Sequence, residues 1–393
     1  MYLLTNGKLV LEDRVAENYE LLIENGCISR IGPQGEMDNG SVPVIDAQGG
    51  YIAPGFIDIH SDYIEHMASP RPTSILDFKM AIKEVEKQLV NQGITTMYHS
   101  LSLYKDSFFS PKKIRTSENV KKLADHIEEI NSGSSLIHHR FHARYEIDNV
   151  DDVPYLMEFI KQKKIHLLSF MDHTPGQGQY RNLEIYKETI KGYQEMTEDQ
   201  LEKHIREAQQ KEKLDLQTIL ILCKMARESD IPLASHDDDS VEKVELVKSW
   251  GTVISEFPIA IEVARAAKAR EMFTVAGAPN VLLGGSHSGN LNAAQAIKEG
   301  CIDILCSDYY PASLLHAVFL LEKKYGQKLW EMFKLVSLNP ARALGIADTY
   351  GSLAPGKRAD LIIIEKDDKD DFPFITAVFV DGNLVSRLYY LRR

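Results

Sequence analysis

The stretch PGFIDIHSDYIEHMASPRP, Pro54 to Pro72, decides how the rest of the chain is read. An apolar run, GFIDI, leads straight into His60, Asp62, Glu65 and His66, and Pro-Arg-Pro closes the stretch around Arg71. A buried strand that ends in ionisable groups is the pattern of a barrel enzyme, where side chains at the carboxyl ends of the strands share one mouth. Alternation along that strand would put His60 and Asp62 on one face.

Outward from it, apolar runs alternate with helical stretches. Candidate strands are 51–59, 93–99, 135–147, 165–171, 231–235, 252–257, 273–283 and 302–306. Eight strands with helices between them predict an α/β chain folded as a (β/α)8 TIM-type barrel, with a doubly wound sheet as the alternative. Both ends of the chain are β-rich, and Asn6-Gly7, Asn25-Gly26 and Asp381-Gly382 are hairpin signals. The division expected is a small β-sandwich domain from 1–50 plus 346–393, and a barrel over 51–345. A long helical insertion at 178–230 interrupts the barrel, with capping-box spacing at Thr197 and Gln200. It is either a lid at the site or extra surface helix.

Composition narrows the functions. The chain has 393 residues, 44% hydrophobic and 26% charged, the balance of an ordinary soluble globular protein. A net charge of −12 without basic runs argues against nucleic acid as a partner. Cys27, Cys223, Cys301 and Cys306 form no C-x-x-C pair and read as reduced core thiols. The opening MYLLTNGKLVL has no signal-peptide order and no window approaches a membrane span, so a cytoplasmic protein without a membrane partner is expected. A homo-oligomer is compatible with all of this.

Other strand ends carry ligand-type groups. The third ends HHRFHARYEI, alternating His142, Arg144 and Glu146 onto one face and Phe141, Ala143 and Tyr145 onto the other. The fourth ends in Asp172-His173, the fifth in His236 with Asp237 and Asp238, and the eighth in Asp308. Imidazoles and carboxylates suit a borderline divalent ion such as zinc or manganese, and a second ion would need an acidic bridge, for which Glu146 is placed. His126, His204 and His316 lie on helical stretches and read as surface or packing residues, whereas His287, in GGSHSGN after the seventh strand, is at the end where substrate would bind.

IDAQGGYIAPGFIDIHSD and VSLNPARALGIADTYGSLAPGKRADLIIIE resemble the opening and closing signatures of the amidohydrolase superfamily of metal-dependent hydrolases. More narrowly, HSDYIEHMASPRP, HARYE, MDHTPGQGQY and ASHDDDS are similar to the phosphonate-metabolism PhnM family. That resemblance implies hydrolysis of alpha-D-ribose 1-methylphosphonate 5-triphosphate, or a related ribose 1-phosphonate 5-triphosphate, to the 5-phosphate and pyrophosphate in the carbon–phosphorus lyase pathway. It implies one or two divalent ions, zinc first and manganese or iron next, held by His60, Asp62, Glu146, His173 and His236, with Asp308 at the metal-bound water. The aspartate at the second position of the first motif, where the superfamily usually has His-x-His, favours the narrower family, and the placement of His66 departs from its pattern.

On this reading Asp308 takes the proton of the attacking water, and Arg71, Arg144 and Arg181 clamp phosphate oxygens. Backbone amides of TPGQGQ are further candidate phosphate donors. The alternative for Asp308 is an N-cap for the helix at PASLLHAVFLL. The alternatives for the whole chain are hydrolysis of a C–N bond, which would leave the arginines without phosphate, and a non-catalytic scaffold, which should have lost a ligand.

Overall fold

The computed structural model describes all residues except 38–39, 41, 72–73, 104–112, 181–182, 194–195, 286–289, 368 and 392–393. Eight parallel strands lie in chain order in one sheet: Phe56–Ser61, Ile94–Leu103, His138–Glu146, Leu167–Met171, Leu233–His236, Ile254–Glu256, Phe273–Gly277 and Ile304–Cys306. The eighth returns to the first. Ser61 and Asp308 form a parallel bridge, in which Asp308 N–H donates to His60 O at 3.0 Å and Asp62 N–H to Asp308 O at 3.1 Å. The curled sheet is a TIM-type barrel, and the carboxyl ends of its strands converge.

Inside the barrel, Tyr98, Leu167, Ala234, Ile254, Val275 and Ile304 form an apolar layer from six strands. Two residues further along each strand, on the same face, stand Ser100, Ser169, His236, Glu256, Gly277 and Cys306. The alternation therefore seals the lower barrel with hydrocarbon and raises Ser100, Ser169, His236 and Glu256 toward the mouth, while Cys306 extends the apolar layer. On the outer face, residues such as Phe141, Ala143 and Tyr145 pack into the large core shared with the helices.

Two candidate strands are interrupted. The 51–59 run is divided at Gly55: Tyr51–Pro54 pairs antiparallel with Leu361–Lys366 in the other sheet, and Phe56 begins the barrel. A side chain at Gly55 would put its Cβ 2.3 Å from Thr95 Cγ2, so only glycine lets the chain pass between the sheets. The 273–283 run stops at Gly277 and continues as helix Ala278–Leu283, with Pro279 in the first turn, where its missing N–H has no helical acceptor to lose.

The second sheet draws Tyr2–Val10, Val15–Glu24, Cys27–Pro33, Val44–Asp46 and Tyr51–Pro54 from the start of the chain, and Leu361–Lys366, Pro373–Val380 and Asn383–Arg387 from its end. It encloses its own core of Leu4, Leu9, Leu21, Ile23, Ile52, Leu361, Ile363 and Phe379. Asn25-Gly26 and Asp381-Gly382 are two-residue hairpin turns with positive φ at both residues, 51° and 80° in one and 47° and 72° in the other. Asn6-Gly7 is not a turn. It lies within Tyr2–Val10 as a bulge, where Gly7 leaves room for Ile52 and Ala47, whose atoms would stand 2.8 and 2.9 Å from a Cβ.

After the fourth strand, helices Leu183–Tyr193 and Glu198–Gln209 precede Leu216–Glu228. Thr197 and Gln200 make both bonds of the capping box. His204 is a packing residue, its Nε2 3.0 Å from the Tyr186 hydroxyl within a small cluster with Ile190, Leu201 and Ile205. No described helix is long and apolar enough to cross a membrane.

Candidate active site at the barrel mouth

His60, Asp62, Glu146, His173, His236 and Asp308 come together at one rim. The His60 and His236 rings are 5.3 Å apart, and those of His236 and His173 are 6.2 Å apart. His173 Nδ1 bonds Glu146 Oε1, and Asp308 is tied to His60 and Asp62 by the backbone bonds that close the barrel. Asp62 lies past the pleat of the first strand, as the N-cap of helix Tyr63–Ala68, so the start of that helix rather than strand alternation sets its position. Asp308 does not cap the helix that follows it; the N-cap of Ser313–Tyr325 is Ala312.

Two triads of possible ligands overlap at His236: His60, His236 and Glu256, and His173, His236 and Asp237. Glu256 ends the sixth strand, and its Oε1 lies 3.0 Å from His60 Nδ1. It was absent from the residues singled out by sequence, although a carboxylate at a strand end is the same signal that marked the others. Asp237 Oδ2 lies 2.8 Å from His236 Nδ1, a charge contact without hydrogen-bond geometry, and 3.8 Å from His173 Nε2. Beneath them His142 is consumed as a support: its Nε2 is 2.9 Å from Ser169 Oγ, and its Nδ1 is 3.0 Å from Ser100 Oγ.

Burial, and then the charges of Arg144 and His236, hold His60 well below the ordinary histidine value, so its ring is neutral and able to ligate. Burial acts the same way on His173, but the carboxylates of Glu146 and Asp237 outweigh it and raise the group. Asp237 is held below its ordinary value because His236, His173 and Arg144 overcome its burial. Asp308 is pushed up to about 6 by burial and by Asp62. Asp58, beneath the rim and bonded to Ser307 N–H at 3.1 Å, is pushed up to about 7 by burial.

Asp237, Phe257 and Asp308, each just past a strand end, have φ of 52°, 54° and 57°. Left-handed backbone at three non-glycine residues of one rim is strain held by the surrounding fold, a frequent property of functional sites.

The arginines divide. Arg144 reaches the rim, its Nη2 3.4 Å from His236 Nε2, and its buried Nε has no hydrogen-bond partner among the described residues. Arg71 is exposed and bridges Ser74 through its backbone, with no described bond to the rim. Arg181 and His287 lie outside the described residues. An arginine without any sequence signal, Arg115, bonds Glu65 Oε1 at 2.8 Å and places its Nη2 3.6 Å from Asp62 Oδ2. His66 is exposed. Both glycine amides of TPGQGQ already have partners: Gly176 N–H donates to Tyr180 O at 3.0 Å and Gly178 N–H to Asp239 Oδ2 at 2.9 Å. That loop sets the Tyr180 ring 6.0 Å from His173, at the foot of the helical insertion.

Comparison with known proteins agrees with this geometry. The amidohydrolase family model matches residues 51–385. The alpha-D-ribose 1-methylphosphonate 5-triphosphate diphosphatase of Escherichia coli K12 is 34% identical over 390 residues, covering 98% of this chain and all of that protein. An imidazolonepropionase from Thermoplasma volcanium is 23% identical across 94% of this chain and 91% of its own. Among solved structures, a D-hydantoinase superposes with a TM-score of 0.67 at 16% identity, over 98% of this chain and 95% of that one.

Proposed function

The chain belongs to the amidohydrolase family, and from that premise we propose that it hydrolyses alpha-D-ribose 1-methylphosphonate 5-triphosphate, or a closely related ribose 1-phosphonate 5-triphosphate, to the 5-phosphate and pyrophosphate. The observation that carries this reading is the end-to-end similarity to the Escherichia coli diphosphatase. The convergence of His60, Asp62, Glu146, His173, His236 and Asp308 at one rim supports it.

The rim's donors suit a divalent ion, and we propose zinc first and manganese or iron next. Its donors are imidazoles and carboxylates, and the buried His236 Nδ1 and Glu256 Oε2 have no hydrogen-bond partner among the described residues. His60, Asp62, Glu146, His173 and His236 would hold one or two ions, with Glu256 and Asp237 as carboxylates that the fold adds to the set. A bound ion supplies Lewis acidity and a more acidic water.

The remaining steps belong to the chain's own residues. With its carboxyl near 6, Asp308 is mostly ionised at neutral pH and accepts the proton of the attacking water. The water oxygen bonds to phosphorus, the bridge between the first and second phosphates breaks, and the electron pair leaves with pyrophosphate. Arg144 meets the oxygens on which charge accumulates, through the buried Nε that has no hydrogen-bond partner among the described residues. Arg71, Arg181 and His287 stand as further contacts for the length of the triphosphate.

Phosphorus NMR of the reaction tests this. Pyrophosphate and a 5-monophosphate are the expected first products. Orthophosphate as first product would reject the assignment, and ammonia released from cyclic amides without pyrophosphate from the triphosphate would replace it with C–N hydrolysis.

A further inference from the structure

The third barrel strand carries chemistry at both ends. Glu146 closes it in the mouth and His138 opens it nine positions earlier, counting both ends, roughly 25 Å away at about 3.3 Å per residue. There the barrel meets the terminal sheet. Asp360, immediately before Leu361–Lys366, and Asp381, in the turn between Pro373–Val380 and Asn383–Arg387, converge on the His138 imidazole.

Asp360 is 7% exposed. Its Oδ1 accepts the backbone N–H of Asp381 at 2.8 Å, which fixes the carboxylate and draws the turn against it. Its Oδ2 faces His138 Nε2 at 3.1 Å, and Asp381 Oδ2 lies 3.8 Å from the same nitrogen. Proximity here is not hydrogen bonding: His138 Nε2, Asp360 Oδ2 and Asp381 Oδ1 are each buried without a hydrogen-bond partner among the described residues. One atom from each residue falls in a group within 4.8 Å of one another.

Charge points the same way. Arg358 Nε, 3.4 Å from Asp381 Oδ1, offsets one of the two carboxylates and leaves the other beside the His138 imidazole, whose Nε2 is buried. The Tyr350 ring, 5.3 Å from that of His138, walls one side. Unbonded buried donors that converge with a surplus negative charge are costly unless a cation joins them.

We propose that His138, Asp360 and Asp381 form a second divalent-cation site, for zinc or manganese, that fastens the amino end of the barrel to the terminal sheet. One imidazole and two carboxylates are a borderline-to-hard donor set, with solvent completing the coordination past the partly exposed Asp381. The site is structural and does not depend on what the mouth hydrolyses.

Crystals of the full-length protein soaked in zinc, measured on both sides of the zinc edge, test it directly. An anomalous peak among these three residues is expected; a peak at the mouth with none here overturns the proposal. In solution, chelator-treated protein reloaded with zinc should bind one ion more per chain than Asp381→Asn or His138→Gln, while turnover of both variants stays at the wild-type level. Asparagine suits the positive φ of residue 381, so that turn should survive the change. Equal zinc content in the wild type and both variants would mean a purely electrostatic cluster and would overturn the site.

Discussion

His139 and His142 sit three residues apart on one strand and face opposite layers of the molecule. His139 faces the helices. Its Nε2 is 3.2 Å from Glu86 Oε2, its Nδ1 is 2.9 Å from His99 Nε2, and the rings of the two histidines stack with centroids 5.2 Å apart. His142 faces the barrel axis and props up a rim at which His236 Nδ1, Glu256 Oε2 and Arg144 Nε have no hydrogen-bond partner among the described residues. Both regions are buried, polar and rich in histidine. What separates them is bonding capacity left over: the outer relay spends its own, and the rim, with three strained residues around it, keeps some for a guest.

The largest expected effect breaks the rim. His173→Asn or His236→Asn should strip bound metal and lower turnover by at least about 100-fold, since even the outer partners of a ligand cost about 10- to 100-fold. His139→Asn should leave metal per folded chain unchanged while lowering stability by about 1–3 kcal/mol, because Glu86 loses a buried partner. His126→Asn, on an exposed helix face beside Glu129, should change neither. Elemental analysis, steady-state rates and melting curves separate the three cases.

Next, Asp308→Asn should cut turnover by roughly 10² to 10⁴, the range of general acid–base catalysis, with metal content and melting temperature near wild type. Asparagine tolerates the φ of 57° at this position, so loss of activity would report chemistry rather than strain. Unchanged turnover would remove Asp308 from the mechanism.

A smaller effect is expected at Arg144→Lys, which keeps the charge and removes the planar fork. KM for the triphosphate should rise roughly 10- to 100-fold, as expected for hydrogen bonds to a charged group. An unchanged KM would take Arg144 out of substrate binding.

The smallest effect concerns pH and spans both regions. Burial lowers His99 well below its ordinary value and His142 to about 3, so the folded state takes up these protons later than the unfolded chain. Stability is therefore intact above the unfolded value near 6.5 and declines as pH falls below it, by about 2 kcal/mol at pH 5 for a group shifted as far as His142. Melting temperature should drop between pH 7 and pH 5, and His99→Gln should make that drop shallower. A drop of equal size in the variant would show that His99 does not contribute.

His60, Glu146, His173, His236 and Asp308 were legible because each stands at or just past the end of an apolar run, and strand alternation is a local property that a single sequence displays. The paired termini were legible for the same reason, through turn chemistry at Asn25-Gly26 and Asp381-Gly382. Arg115 was not: its bond to Glu65 joins residues 50 positions apart from a segment without periodic pattern. Arg71 is the opposite case, close to the rim in sequence yet exposed and without a described bond to it.

By itself, then, the sequence determined roughly where the barrel strands run, which of them end in ligand-type groups, and which chemistry those groups favour, since each depends on neighbours two to four residues away. Only the tertiary structure decided which histidines keep unused bonding capacity, which arginine reaches the rim, and that His138, Asp360 and Asp381 meet where the two sheets join. Those outcomes depend on closing loops of up to 249 residues, such as the one between Asp58 and Ser307, and no local pattern encodes where such a loop returns.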